Sequence, residues 1–521
     1  MTEQVNNIEK TPPAEKREVV TLLAAIFIIG ACGLIYELLI GSLSAYLEGD
    51  SITHFSIVIG FFMFAMGIGS WFSRFFTDDD LIYYFIFIEL ILGILGGLSG
   101  FILFTAYAVI DQYMQVMIFV TISIGILVGL ELPLLTRILK KYGTLALTLS
   151  NVLSFDYIGA LVAALFFPFF FMPHFGAVKT GVMFGMLNIF VAMATIYVFA
   201  TYLTKKKKAG LNFLCIVAMF AFLILFGVSE SIVSSLEASL YNEEIVLVKQ
   251  TKYQKIIVTK WKNIMRLFMD GNLQFSSTDE YRYHEALVHP PMLVAKRREN
   301  ILILGGGDGL AAREVLKYKE VKSLYVVDID PAITDIALNN HDFKIMNENS
   351  FHDKRVKILN MDARKFLSEW KGESFDVIIV DFPDPNNESL SKLYTTEFYR
   401  EVKQRLSTLG AVSIQSTSPF YSPQSFYMIN RTLEQTGFDV HPYHVYVPSF
   451  GEWGFNLCIK ENIFPEKFTL EKDFKYRFLN AKTINAIFDF PEDMKEVGEG
   501  TNSFYKGSLL KVYNAEWKKW N

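Results

Sequence analysis

Ile301-Leu302-Ile303-Leu304-Gly305-Gly306-Gly307-Asp308-Gly309 decides the fold of the C-terminal half of this chain. Four consecutive apolar residues read as a strand buried on both faces. The glycines that follow let the backbone approach a ligand at the strand's carboxyl end, and Leu310 to Tyr318 then reads as a helix. Moving outward, a second strand, Ser323 to Val327, ends in Asp328, about twenty residues after the glycines, where an acidic side chain accepts ribose hydroxyls. A third, Val356 to Leu359, leads to Asp362-Ala363, and a fourth, Phe375 to Val380, leads to Asp381-Phe382-Pro383-Asp384-Pro385. Strand, turn and helix in repetition predict a doubly wound parallel sheet. A single aspartate at a strand end is explained by a helix N-cap or a turn. Four in register predict a ligand-binding edge.

The chemistry of that edge narrows the ligand. No lysine follows the glycines as in a P-loop, and Asp308 would repel a pyrophosphate, so NAD and ATP fit poorly. Asp308 would likewise oppose the carboxylate of S-adenosylmethionine. Decarboxylated S-adenosylmethionine ends in an ammonium instead, which Asp308 pairs with directly. A pocket bearing Asp308, Asp381 and Asp384 suits cations, and both a sulfonium donor and an amine acceptor are cationic.

Upstream, Ile245 to Val248 and Lys255 to Thr259 are short, β-branched runs separated by polar residues, predicting a small antiparallel unit. Further upstream the chain is apolar. The 521 residues are 51% hydrophobic, with mean hydropathy +0.28, and the apolar residues crowd into positions 19 to 230. Seven stretches, near 19–43, 54–73, 81–107, 114–136, 146–172, 177–203 and 211–229, each reach the roughly 20 residues a helix needs to cross a bilayer. The run after Lys10, Lys16 and Arg17 reads as a first transmembrane helix rather than a cleaved signal, being long and without a small-residue cleavage site. Lysine and arginine in the short loops (Arg74, Arg137, Lys140, Lys141, Lys205 to Lys208) place the N-terminus inside, with only Lys179 in the opposite set. Seven crossings then put the C-terminal domain outside; a re-entrant segment would return it to the cytoplasm, and both topologies stay open. Glu37, Glu89, Glu131 and Asp156 lie within the apolar segments. They read either as a cation path, or as groups that are protonated or hydrogen-bonded across helices to residues such as Tyr36, Tyr157 or Asn188. A net charge of −5 and the absence of basic runs with stacking aromatics exclude a nucleic-acid partner. The three cysteines, Cys32, Cys215 and Cys458, match no metal or disulfide spacing, and no metal site is expected.

The chain reads as a polar tail (1–18), an α-helical multi-pass membrane domain (19–230), a small antiparallel β unit (240–289), an α/β Rossmann-like domain of methyltransferase type (290–465) and a C-terminal extension (466–521).

Over about 250 to 460 the chain resembles the spermidine synthase family, the polyamine aminopropyltransferases, and within it the membrane-anchored bacterial branch. The stations occur in order: Tyr253-Gln254; Met269 to Gln274; Asp279-Glu280-Tyr281-Arg282-Tyr283-His284-Glu285 with His289-Pro290; Gly305 to Gly309; Asp328-Ile329-Asp330; Asp362-Ala363; Asp381 to Pro385; Leu393 to Tyr399; and Trp453-Gly454-Phe455. The resemblance implies that Gln254, Asp328, Asp362 and Ala363 hold the methylthioadenosine part of the donor, that His284, Asp308 and Asp384 contact the amine-bearing chains, and that Asp381 is the base. The turn is Gly305, Gly307 and Gly309. It also implies decarboxylated S-adenosylmethionine as co-substrate, putrescine as acceptor with spermidine as product, no separate cofactor, a homodimer or homotetramer, and a cell-membrane location. This chain departs from the pattern at Asp328, where a glutamate is usual, at Phe382-Pro383, and at Thr417, where an acidic residue is common. The last bears on the acceptor. Two rival readings are an S-adenosylmethionine-dependent methyltransferase and a polyamine transporter or sensor whose Rossmann-like domain binds without turnover.

Overall fold

The computed structural model describes residues 13–48, 51–109, 112–241 and 243–520, so the predicted polar tail falls largely outside the described residues. The chain divides after Glu243 into two compact units.

The first unit is helical: α1 (Pro13–Glu48), α2 (Ser51–Phe72), α3 (Leu81–Val109), α4 (Tyr113–Leu139), α5 (Leu145–Phe166), α6 (Met172–Val198) and α7 (Lys205–Tyr241). These helices are apolar on nearly every face, the pattern of helices buried in a large core or spanning a membrane. Six helical stretches are long and apolar enough to cross a membrane. The seven predicted runs map onto them because one stretch, Leu145–Val198, holds two: a π turn at Phe167–Phe171 follows α5, and Gly176, at φ +69°, breaks the path within α6. A positive φ is open to glycine at little cost. Elsewhere small residues bring backbones together; a Cβ on Gly69 would fall 2.1 Å from the carbonyl oxygen of Ile126.

The acids within the apolar helices divide. Glu37 and Asp156 are part-buried, whereas Glu89 and Glu131 are fully buried and face each other. The predicted bonds to Tyr36, Tyr157 or Asn188 do not form, for the Tyr36 hydroxyl and the Asn188 amide are buried without a hydrogen-bond partner and Tyr157 points outward.

The second unit opens with an antiparallel sheet of β1 (Glu244–Gln250), β2 (Lys255–Trp261), β3 (Ile264–Met269) and β4 (Asn272–Ser276), paired in that order. Asp270 and Gly271, at φ +47° and +79°, make the two-residue turn between β3 and β4, the conformation that suits a tight hairpin. A seven-stranded sheet follows, built of β5 (Asn300–Gly305), β6 (Ser323–Asp328), β7 (Val356–Asn360), β8 (Phe375–Asp381), β9 (Leu406–Gln415), β10 (Asp439–Val447) and β11 (Gly451–Ile459), in the order β10-β11-β9-β8-β5-β6-β7. The strands β5 to β9 are mutually parallel; β11 adds antiparallel to β9, and β10 pairs antiparallel with β11 at the sheet's edge. The continuous apolar runs of β5 and β8 are explained by cover on both faces. On one face Ile301, Ile303, Val377 and Ile379 join the core beneath α8 (Glu280–Val294); on the other Leu302, Leu304, Ile378 and Val380 pack on Phe398, Tyr399 and Ile429.

The segment after 465 is not an appendage. Glu285 on α8 accepts backbone N–H groups from Arg477, Phe478 and Leu479 at 2.6, 3.0 and 2.8 Å, and the last helix, α17 (Ser508–Trp517), buries Leu509 in the core.

Candidate active site

Strand order reverses at β5, with β6 and β7 on one side and β8 and β9 on the other. Such a switch point leaves a crevice at the carboxyl edge where ligands bind. Gly305 ends β5 at φ +85°, beside Asp381, and a Cβ there would lie 2.1 Å from the Asp381 carbonyl oxygen. Gly307 is equally constrained: its N–H donates to Asp328 Oδ2 at 3.1 Å, and a Cβ would meet that oxygen at 2.5 Å. Gly309, at φ +82°, leads into α9 (Leu310–Leu316), where Asp308 Oδ1 accepts the Leu310 N–H at 2.8 Å.

At the end of β6 the Asp328 carboxylate also accepts the Asp330 N–H at 2.8 Å. Burial pushes it up to about 6 against these backbone donors. Gln254 approaches the same edge from the small sheet, its side-chain amide donating to Asp330 at 3.1 Å. Asp362 is exposed and caps α12 (Ala363–Glu369), accepting from Lys365 N at 2.8 Å, while Ala363 is buried in the first turn. For Asp362 a helix-capping role is therefore realised, at the carboxyl end of β7.

Asp381 closes β8. Tyr283 of α8 donates its hydroxyl to Asp381 Oδ1 at 2.7 Å. Burial drives Asp381 up to about 6, helped by the Asp308 charge and opposed by His284 and the Tyr283 hydrogen bond. Asp308 is raised by burial too. His284 comes from the neighbouring position of α8, with Nδ1 2.8 Å from the Glu280 carbonyl oxygen and 2.9 Å from its carboxylate. Burial works against its charge, yet Glu280 holds it at about 8. Glu280 in turn takes a two-pronged contact from Arg313, at 3.0 and 2.9 Å. Despite burial these partners keep it at about 2. Arg313 also reaches Glu314, which meets His289 at 3.0 Å. His284 is thus a buried ring whose charged form Glu280 favours, within electrostatic reach of Asp308 and Asp381.

Asp384 accepts three hydrogen bonds: Gln415 at 2.6 Å, Thr417 at 2.9 Å and Tyr513 at 2.9 Å. Burial raises it while these donors pull it down. Thr417 stands at φ +61°, rare for a β-branched residue and of the kind that clusters at functional sites. Gln415 ends β9 and Thr417 lies two residues beyond it, the latter noted in the sequence for its departure from the family pattern. Tyr513 was not anticipated; it arrives from α17, and no local motif marks it. Tyr394 lines the same corner, donating to Pro383 O at 2.9 Å. Among the described residues no group of three or more His, Cys, Asp or Glu side chains could hold a metal ion.

Sheet order, glycine turn and the Asp308, Asp328 and Asp381 carboxylates at one switch point define a Rossmann-like transferase-type domain for a cationic ligand. Residues 280–470 match the model of the spermine/spermidine synthase domain. A polyamine aminopropyltransferase of Leptospira interrogans is 46% identical over 501 residues, covering 96% of this chain and 99% of that protein. Polyamine aminopropyltransferase 1 of Ralstonia nicotianae is 39% identical over 518 residues, 98% of each chain. A spermidine synthase structure from Thermotoga maritima aligns with TM-score 0.44 at 25% identity, covering 52% of this chain and 88% of that one. The chain belongs to the polyamine aminopropyltransferase family, and its reaction class is aminopropyl transfer.

Proposed function

We propose that the second unit transfers the aminopropyl group of decarboxylated S-adenosylmethionine to putrescine, giving spermidine and 5'-methylthioadenosine. The observation that carries this is the Asp381 carboxylate, held by Tyr283 at the switch point among Asp308 and Asp384. The amine acceptor arrives as an ammonium and attacks only after losing a proton. A carboxylate raised to about 6 is a base whose ionised form dominates at neutral pH while remaining a better proton acceptor than an ordinary aspartate. Asp381 Oδ2 would take the proton from the attacking nitrogen while Tyr283 fixes Oδ1. The nitrogen then attacks the aminopropyl carbon beside the sulfonium, the new C–N bond forms as the C–S bond breaks, its electrons return to sulfur, and the sulfonium leaves as a neutral thioether. No other activation is required, since the leaving group is already positive. Asp308 would pair with the donor ammonium, Asp328 with the ribose hydroxyls, and Gln254 and the Asp362-Ala363 turn would border the nucleoside; His284 supports Asp308 and Asp381 from below rather than reaching into the amine chain alone.

The first unit we take to be a multi-pass anchor in the cell membrane. Large apolar side chains point outward along its helices, among them Phe64, Phe119, Phe169 and Phe213, and a surface of that kind is stable against lipid. Self-association into a dimer or tetramer belongs to the same reading.

The test is to incubate the detergent-purified full chain with decarboxylated donor and a panel of amines and to follow methylthioadenosine release. Putrescine should be the best acceptor. Asp381→Asn should lower kcat by about 10²- to 10⁴-fold, the range for a positioned base, with donor affinity little changed. Near-normal turnover of Asp381→Asn alongside an inactive Asp384→Asn would move the role to Asp384.

A further inference from the structure

The corner around Asp384 holds more than a carboxylate. Its oxygens have about four lone-pair directions, and three are occupied, one on Oδ1 by Gln415 and two on Oδ2 by Thr417 and Tyr513. One direction is left for an incoming ammonium. The Tyr513 oxygen, having given its proton to Asp384, has its own lone pairs with which to accept from the same group. Tyr513 is not there by chance of a loose terminus. Its helix α17 is pinned by Glu516, which accepts from Ser422 Oγ at 2.8 Å, Gln424 N at 2.9 Å, and Ser425 N and Oγ at 3.0 and 2.8 Å. Asn502, just before α17, donates to the carbonyl oxygens of Ser391 and Tyr394, the latter residue lining the same corner. Thr417, a neutral residue, leaves Asp384 as the only carboxylate in this contact set, so the phenol supplies an acceptor where a second charge is missing.

We propose that Tyr513 and Asp384 together seat the distal ammonium of the acceptor, making Tyr513 the specificity-determining residue that restricts the reaction to amines carrying a second positive nitrogen. This deepens the aminopropyl-transfer reading and rests on it: with the reacting nitrogen at Asp381, three residues away in the same loop, the far end of a short diamine falls towards Asp384. A monoamine of equal length has nothing to place there and draws no benefit from the phenol.

The experiment compares wild type with Tyr513→Phe, using putrescine and butylamine as acceptors at fixed saturating donor. Loss of one charge-assisted contact should raise KM for putrescine about tenfold or more, with kcat and the donor KM nearly unchanged. The two proteins should handle butylamine alike. An equal change for both amines, or no change in the putrescine KM, would overturn the proposal. Thermal unfolding of Tyr513→Phe should match wild type, and a large drop accompanied by equal losses on both amines would assign Tyr513 a packing role instead. Wild-type protein that turns over neither amine would remove the underlying reading, a result distinct from the failure of the Tyr513 assignment.

Discussion

Replacing Tyr283 with Phe isolates the hydrogen bond that holds the proposed base. The ring stays in its apolar surroundings against Phe450 and Phe455, so the change removes one O–H donor from Asp381 and little else. That donor favours the ionised carboxylate, and it is one of two influences that restrain the upward push of burial at Asp381. A hydrogen bond to a charged group contributes about 1.5 to 3 kcal/mol, and 1.36 kcal/mol corresponds to one pH unit. The midpoint of Asp381, about 6 in the wild type, should therefore rise by about one unit or more. Activity needs the ionised form, so the acid limb of the kcat profile moves to higher pH. At neutral pH the variant loses rate severalfold, and at pH 9 it recovers most of it. The acceptor amine also titrates, so the informative quantity is the ratio of variant to wild-type kcat at each pH, in which that common factor cancels. A ratio that stays flat from pH 6 to 9, or one that rises towards acid, would refute the reasoning.

Four further outcomes are expected. Asp308→Asn should reduce the preference for decarboxylated over intact S-adenosylmethionine, which calorimetry on the unmodified protein should put at about tenfold or more; equal affinities would remove the case for an ammonium at Asp308. Arg313→Met leaves Glu280 and Glu314 buried without their guanidinium partner and should cost about 3 to 5 kcal/mol in denaturant unfolding of the enzyme unit. For the His284–Glu280 pair, stability from Glu280 is present above its ordinary value near 4.5 and fades as pH falls towards about 2, while that from His284 is present below about 6.5 and fades as pH rises through about 8, so the unfolding midpoint should be highest between about pH 5 and 6.5. An impermeant thiol reagent applied to intact cells should spare a Lys207→Cys site if the lysine-rich loop faces the cytoplasm; ready labelling from outside would reverse the orientation.

The parts legible in the sequence were those with a local period or a fixed spacing. An apolar strand running into glycines, followed by strands each ending in aspartate, could be read from neighbouring residues, and the sheet order places Asp328 and Asp381 on the edge beside Gly305 as that pattern requires. The seven apolar runs were visible from hydropathy, but the joining of two of them across the Gly176 break was not, because a π turn and a single positive φ leave no mark on composition. Tyr283 could be named but not assigned, since whether an aromatic on a helix packs or donates depends on where that helix lies. Thr417 stood out only as a missing charge; its positive φ and its bond to Asp384 depend on the chain path after β9. Tyr513 was invisible because its partner lies 129 residues earlier and nothing near it in sequence repeats a motif. The mutual burial of Glu89 and Glu131 without other partners is likewise a matter of packing between helices.

The clasp between Glu285 and residues 477–479 bears on how this unit reaches its native state. It closes loops of 192 to 194 residues, and the Tyr513 contact closes another of 129. Ordering such long loops is entropically unfavourable until the contacts they bring together are made, and topologies dominated by distant pairings fold slowly. The parallel strands can associate before these clasps form, whereas the amine-binding corner cannot. A refolding time course should thus recover nucleoside affinity ahead of turnover, and substitutions at Glu285 or Glu516 should widen that interval.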